Sequence, residues 1–222
     1  MKLLSIDTCG PTGSVALGRL SAGVVEILGQ VELEGRSYSS TLVAAVGEAL
    51  AEGGVALREL GAIVVVNGPG SFTGVRVGVS AVKGLSEGAR IPVLAVSRLE
   101  VLAAATGVET AALDAHRQEI YLRIEEAGTE ARELLAGAEE LGALTPRRIA
   151  VCDDAAVLLL SSAWPTAELV RVAPPTAADA LKLCASRAAA GECADLALLD
   201  GHYLRKSDAE IFGQPVCAAE RS

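Results

Sequence analysis

The stretch IVVVNGPGSFTGVRVGVSAVKGLSEGARIPVLAV, residues 63–96, decides how the first half of the chain folds. Ile63–Val66 is an unbroken β-branched run between Gly61 and Gly68, the pattern of a strand covered on both faces. Pro92–Val96 reads as a second such strand. Between them Val75, Val77 and Val79 alternate, which taken alone favours a strand. Gly74, Gly78 and Gly84 weaken that reading, because glycine destabilises a strand interior. Residues 74, 78 and 81 also share one face of a helix. Parallel neighbouring strands need a crossover of about a dozen residues or more, and a helix across 68–88 supplies it. The segment is therefore read as strand, helix, strand.

Working outward, Lys2–Ile6 is a strand closing at Asp7, and Thr8–Thr12 is turn chemistry with Cys9, Gly10 and Pro11. Ser14–Leu20 and Val24–Leu33 follow as strands. In Ser37–Ala51 the apolar spacing changes to that of a helix, with Leu42, Val43, Val46 and Leu50 on one stripe, Ala45 and Ala49 beside them and Gly53 as a stop. Ser97 caps a further helix, Ser97–Ala105. The order β-β-β-α-β-α-β-α is that of a ribonuclease-H-like unit, and the expected class is α/β with a two-lobed actin-like (ASKHA, duplicated ribonuclease-H-like) fold. A degenerate second unit follows. Glu109–Leu113 ends at Asp114 as the first strand ends at Asp7. Ile120–Glu125, Arg132–Leu135 and Ile149–Cys152 read as strands. Ala155–Leu160 and Thr176–Ala190 read as helices, the latter behind Pro174–Pro175. The boundary at Thr106–Gly107 gives an N-terminal lobe over residues 1–104 and a smaller C-terminal α/β lobe over 105–222.

Composition excludes several classes. Of 222 residues, 51% are hydrophobic, so the chain is not of the disordered type. The charge, 19 basic minus 28 acidic, is −9, and aromatics are 3%. Coating nucleic acid unaided needs a basic surface and stacking side chains. No apolar run approaches the ~20 residues of a membrane span, and no secretory leader pattern opens the chain. The five cysteines, 9, 152, 184, 193 and 217, show neither a disulfide framework nor metal-ligand spacing.

Candidate chemistry is sparse. Asp7 and Ser14 are the two residues placed to touch a nucleotide, and a turn-capping role for Asp7 is the alternative. Pro11 removes one donor from that turn. The loop Gly68–Gly74 suits a tight strand-to-helix turn capped by Ser71 or Thr73, or an anion held at a helix start. It lacks the ending of a P-loop. His116 and His202 form no ligand pair, and no GxSxG elbow is present. Glu125–Glu126, Glu139–Glu140 and Asp153–Asp154 read as solvated surface. Asp114–Tyr121 reads as a hairpin turn or a site. Gly74, Gly78, Ser80 and Ala81 leave one helix flank bare. Each glycine costs about 1 kcal/mol relative to alanine, so close packing there, internal or external, is expected.

These residues resemble the TsaB (YeaZ) family. The resemblance is carried by Leu3–Thr8, Gly13–Leu17, GPGSFTGVRVGVSAVKGL at 68–85, IPVLAVSRLEVLA at 91–103, DAHRQEIY at 114–121 and YLR at 203–205. It implies a two-lobed actin-like subunit without catalysis of its own. Such a subunit supports TsaD, which transfers threonylcarbamoyl to the adenosine beside the tRNA anticodon. No catalytic, metal or bound-cofactor residue is implied for this chain; ATP and metal belong to partner subunits. Pairing with TsaD, or self-association through the same face, maps to Tyr38, Leu42 and Val46 on the first helix. On the second it maps to Thr73, Gly74, Val77, Gly78, Ala81 and Val82. TsaE joins the larger complex, tRNA is met only indirectly, and the location implied is cytoplasmic. Two departures stand out: Tyr38 occupies a position often held by His, and Pro11 interrupts a turn usually rich in Ser and Thr. The competing readings are a stand-alone ATPase, kinase or glycoprotease-like enzyme using Asp7, and a structural homodimer with an unrelated partner.

Overall fold

Each half of the chain builds a five-stranded sheet, and the strand order is the same in both. A computed structural model describes residues 1–35, 37–125 and 130–205. The first half supplies β1 (Lys2–Asp7), β2 (Thr12–Ser21), β3 (Val24–Glu34), β4 (Leu60–Val66) and β5 (Val93–Val96), ordered β3-β2-β1-β4-β5. The second supplies β6 (Ala111–Asp114), β7 (Ile120–Ile124), β8 (Arg132–Ala136), β9 (Arg148–Val151) and β10 (Glu168–Arg171), ordered β8-β7-β6-β9-β10. In both, a meander of three antiparallel strands is extended by parallel strands on the far side of its first member.

The helices are α1 (Tyr38–Glu52), α2 (Phe72–Ala89), α3 (Arg98–Thr106), α4 (Ala138–Gly142), α5 (Asp154–Ala163), α6 (Ala177–Leu183) and α7 (Ala185–Ala189). The ambiguous segment is helix α2, the crossover between parallel β4 and β5. Ser71 is its cap: the Gly74 amide donates to Ser71 Oγ at 3.2 Å. Ser97 likewise accepts from the Leu99 amide at 3.2 Å and starts α3.

Side-chain alternation along β2 shows how the layers stack. Leu17 faces Gly53 at the end of α1, whereas the next residue, Gly18, faces Leu181 of α6. Helices α1 and α6 therefore cover opposite faces of the first sheet. Leu3, Leu4, Ile6, Ile63 and Val64 are wholly buried between the layers. The second lobe has its own core of Ile120, Leu122, Ile149, Val151 and Leu160, closed by Trp164, whose indole donates to the Leu141 carbonyl at 2.9 Å.

Several expectations need adjustment. The sheets divide on either side of α3, but the chain after residue 176 does not remain with the second sheet. Ala177, Ala180, Leu181 and Cys184 join the core of the first. Thr176–Ala190 is not one helix, since α6 and α7 are separated at Cys184. The short α4 and the edge strand β10 were not foreseen. Five residues show too little periodicity, and a four-residue strand reading Glu-Leu-Val-Arg carries only two apolar side chains. Among the described residues the cysteines are free, and no helix is long and apolar enough to cross a membrane. Cys217 and Glu126 lie outside the described residues.

Candidate functional site: the inter-lobe cleft and the α1–α2 face

Four turns that follow strand ends meet in one cleft of about 870 Å3. Cys9–Pro11 follows β1, Pro69–Phe72 follows β4, Leu113–Arg117 spans the end of β6 and the turn after it, and Cys152–Asp153 follows β9. Carboxyl ends of strands at a change of sheet order are where open α/β sheets hold ligands. Arg98 from α3 and the segment His202–Arg205 complete the walls.

Both lobes end their first strand on an aspartate and tie it in the same way, Asp114 lining the cleft and Asp7 buried behind it. Asp7 Oδ1 accepts from the Cys9 amide at 2.8 Å, and Asp114 Oδ1 accepts from the His116 amide at 2.9 Å. Each is an Asx turn, the bland reading offered for Asp7 from sequence. The environments then diverge. Asp7 is buried beside the buried guanidinium of Arg98, with Asp7 Oδ2 3.7 Å from Arg98 Nε. Burial is the largest single influence and opposes the Arg98 charge, but Asp7, Cys9, Cys152 and Tyr38 together offset it, and the net displacement is toward tighter proton binding. Asp114 instead meets the exposed ring of His116 at 2.8 Å. His116, Arg117 and Gln118 all take left-handed φ values of 60°, 56° and 62°, holding this turn out at the mouth of the cleft.

The remaining groups near Asp7 are inert. Cys9 Sγ donates to the Val66 carbonyl at 3.2 Å, and burial, with the Asp7 charge behind it, pushes its thiol well up. Burial raises Cys152 to about 11. Tyr38 Oη donates to the Gly10 carbonyl at 2.8 Å, and burial followed by the Asp7 charge raises its phenol to about 12. Ser14 points away from the cleft. Its Oγ accepts from the Ala177 amide at 2.9 Å and so anchors α6.

Residues 200–205 strap the two lobes together. The His202 amide donates to the Asn67 carbonyl at 2.6 Å, and its ring Nε2 lies 2.9 Å from Glu133 Oε2. Glu133 also accepts from Ser97 Oγ at 2.6 Å and pairs with Arg123. Arg205 pairs with Glu119. Tyr203 packs on Phe72 with ring centroids 5.2 Å apart, and Arg76 lies 3.8 Å above Phe72. Glu133 was not singled out from sequence, and Arg98 and Tyr203 entered only within the quoted segments 91–103 and 203–205, with no role assigned. An arginine just inside a helix cap and a glutamate within a strand carry no motif.

The expected partner surface is largely covered by its own chain. Tyr38, Leu42, Val46, Gly74, Gly78 and Val82 are buried, Val77 and Ala81 are half-buried, and Thr73 is exposed. The bare flank of α2 is internal. A Cβ on Gly74 would run into the Thr8 carbonyl, and one on Gly78 into Thr8 Oγ1. Thr8 Oγ1 itself donates to the Gly74 carbonyl at 2.7 Å. A different set of glycines faces outward. Added Cβ atoms on Gly47, Gly84 and Gly88 would meet nothing within 4 Å. On α1 exposed Val43 (74%) and Ala44 lie one turn before Gly47, and on α2 exposed Ser80 lies one turn before Gly84. Among the described residues no group of three His, Cys, Asp or Glu is placed to hold a metal ion.

Two sheets of one strand order, with a cleft between the carboxyl ends of their strands, define a two-lobed protein of the actin-like, ribonuclease-H-like class. The family model for TsaD, tRNA N6-adenosine threonylcarbamoyltransferase, matches residues 29–141. YeaZ from Pseudomonas aeruginosa aligns at 30% identity over 91% of this chain and 99% of that one, with a TM-score of 0.72. TsaB of Escherichia coli K12 is 37% identical over 128 residues, 54% of this chain and 53% of that protein. TsaB of Bacillus subtilis 168 is 37% identical over 125 residues, with the same two shares. This chain belongs to the TsaB (YeaZ) family. It spans about half the length of the curated relatives it matches.

Proposed function

We propose that the chain is the non-catalytic partner subunit of the bacterial complex that transfers threonylcarbamoyl to the adenosine beside the tRNA anticodon, and that it binds and supports TsaD in the cytoplasm. Relatives named as threonylcarbamoyladenosine biosynthesis proteins support the pathway. The observation that carries the supporting role is the outward glycine set. Gly47, Gly84 and Gly88 sit in helices where each costs about 1 kcal/mol against alanine, yet nothing in their own fold occupies the space they leave. A second helix pair approaching that face accounts for them. The buried Asp7–Arg98 pair supports the absence of chemistry here, because the carboxylate expected to serve a nucleotide is committed to a guanidinium. ATP and metal then belong to partner subunits, with TsaE in the larger assembly, tRNA met indirectly, and the same face available to a second copy.

The test is association. Purified chain and cognate TsaD are run together by size exclusion, and Gly47→Arg and Gly84→Arg are expected to abolish co-elution while leaving the melting temperature within a few degrees. Depletion in cells is expected to lower the threonylcarbamoyladenosine content of tRNA. Undiminished co-elution of both variants sinks the proposed face. Unaltered tRNA on depletion sinks the function. An isolated chain that turns over ATP, and stops when Asp7 is replaced by Asn, establishes the enzyme reading instead.

A further inference from the structure

Given the docking role proposed above, we propose that Phe72, Arg76 and Tyr203 are the anchor of the docking face, and that the Arg76 guanidinium receives a carboxylate side chain of TsaD. Residues four apart form a ridge along a helix. On α2 one such ridge runs Phe72, Arg76, Ser80, Gly84 and Gly88, all exposed. Its far end is bare, since added Cβ atoms on Gly84 and Gly88 would meet nothing within 4 Å. Its near end carries the one charge of the row, Arg76, and the one large apolar side chain, Phe72. The bare end lets another backbone come close, and the near end offers the groups that can hold it there.

The chain has six aromatic residues, two Phe, three Tyr and one Trp. Tyr38 and Trp164 are buried, whereas Phe72 is 43% exposed and Tyr203 37%. Two of the few rings in the chain thus stand together at the surface, 5.2 Å apart and tilted by 46°. Arg76 lies 3.8 Å above the Phe72 ring and 6.0 Å from that of Tyr203. Its Nε donates to Tyr203 Oη at 3.3 Å. Among the described residues Arg76 makes no ion pair and no atom accepts from its Nη groups. The stacked guanidinium therefore turns a two-pronged donor edge outward, the geometry that a carboxylate fits. The seat is set in advance. A Cβ on Gly201 would run into the Tyr203 ring and Val75, and the His202 amide donates to the Asn67 carbonyl at 2.6 Å, so the strap fixes where the Tyr203 ring lies. Arginine and tyrosine are enriched among the residues that dominate interface energies, and a cation already stacked and hydrogen-bonded loses little freedom on binding. An arginine serving only to solvate the surface gains nothing from such a seat.

The test titrates variants of the full chain against purified cognate TsaD at low and high salt, with the thermal midpoint of each variant as the check on folding. Arg76→Glu is expected to weaken association by about a hundredfold or more, because it sets like charges against each other. Arg76→Lys keeps the charge but loses the fork and the flat stacking, and is expected to weaken it about tenfold. Arg76→Gln is expected to remove most of the salt dependence that the unmodified chain shows. Midpoints are expected to stay within a few degrees, since Arg76 is exposed. Exposed Asp and Glu residues of TsaD are then changed to Lys one at a time, and one of them is expected to restore binding of Arg76→Glu. A gain of that kind cannot come from a misfolded protein. No restoring change overturns the carboxylate assignment. If Gly84→Arg abolishes association while Arg76→Glu binds as the unmodified chain does, the docking face stands and the anchor is overturned. If neither variant weakens association, the docking reading fails as well. Loss of tRNA retention by the Arg76→Glu complex at unchanged TsaD affinity assigns the cluster to nucleic acid and also overturns the proposal.

Discussion

The two lobes set the same turn at the same place and fill it differently. At the end of β1 the aspartate is sealed in with a guanidinium, whereas at the end of β6 it stands open beside an exposed imidazole. The difference lies in what covers each turn. Tyr38 reaches from α1 to the Gly10 carbonyl and Arg98 reaches from α3, so the first turn is roofed from two sides. The second turn is met by Arg205, which donates to the His116 carbonyl at 3.5 Å at an exposed position, and its three left-handed residues stand at the cleft mouth. One motif has become structural in the N-terminal lobe and remained available in the C-terminal one.

That contrast sets the sizes of the expected effects. Asp7→Ala strands a buried guanidinium and should cost about 3–5 kcal/mol, read as a lowered urea midpoint. The matched Asp114→Ala, at an exposed pair, should cost under about 1 kcal/mol. Equal losses would show that burial does not separate the two turns. Gly74→Ala drives a methyl into the Thr8 carbonyl, a backbone atom that cannot swing aside, and should cost about 3 kcal/mol. Stability retained with loss of partner association would instead return that flank to the docking surface. Ser14→Ala removes the acceptor of the Ala177 amide and should cost about 1–2 kcal/mol. Its signature is local: hydrogen exchange should rise across 177–183 before it rises in β7. The smallest effect concerns thiols. Among the described cysteines, in native protein near pH 8, exposed Cys193 should alkylate first, Cys152 slowly, and buried Cys9 and Cys184 only on unfolding. The raised thiols add to shielding by keeping the reactive thiolate scarce, most of all at Cys9. Fast labelling of Cys9 would mean that the first turn opens.

The helical reading within residues 68–88, which the structure sets at Phe72–Ala89, came from sequence because it needed only local signals: two β-branched runs, the length between them, and the glycines. The Asx reading of Asp7 was legible for the same reason, since it spans two residues. Which way the Gly74–Gly78 flank packs was not legible, because a glycine's meaning depends on what lies opposite it. Gly78 and Gly84 look alike in the chain, yet one faces Thr8 and the other faces solvent.

Periodicity and turn residues were enough to establish the order of most elements and the duplicated class, because each is written within a few neighbouring residues. The pairing of Asp7 with Arg98, the anchoring of α6 on Ser14 and the strap from His202 to Glu133 join positions far apart in the chain. Such contacts form only when the two sheets have packed. Short-range patterns constrain backbone conformation, whereas burial and charge pairing are properties of the completed enclosure.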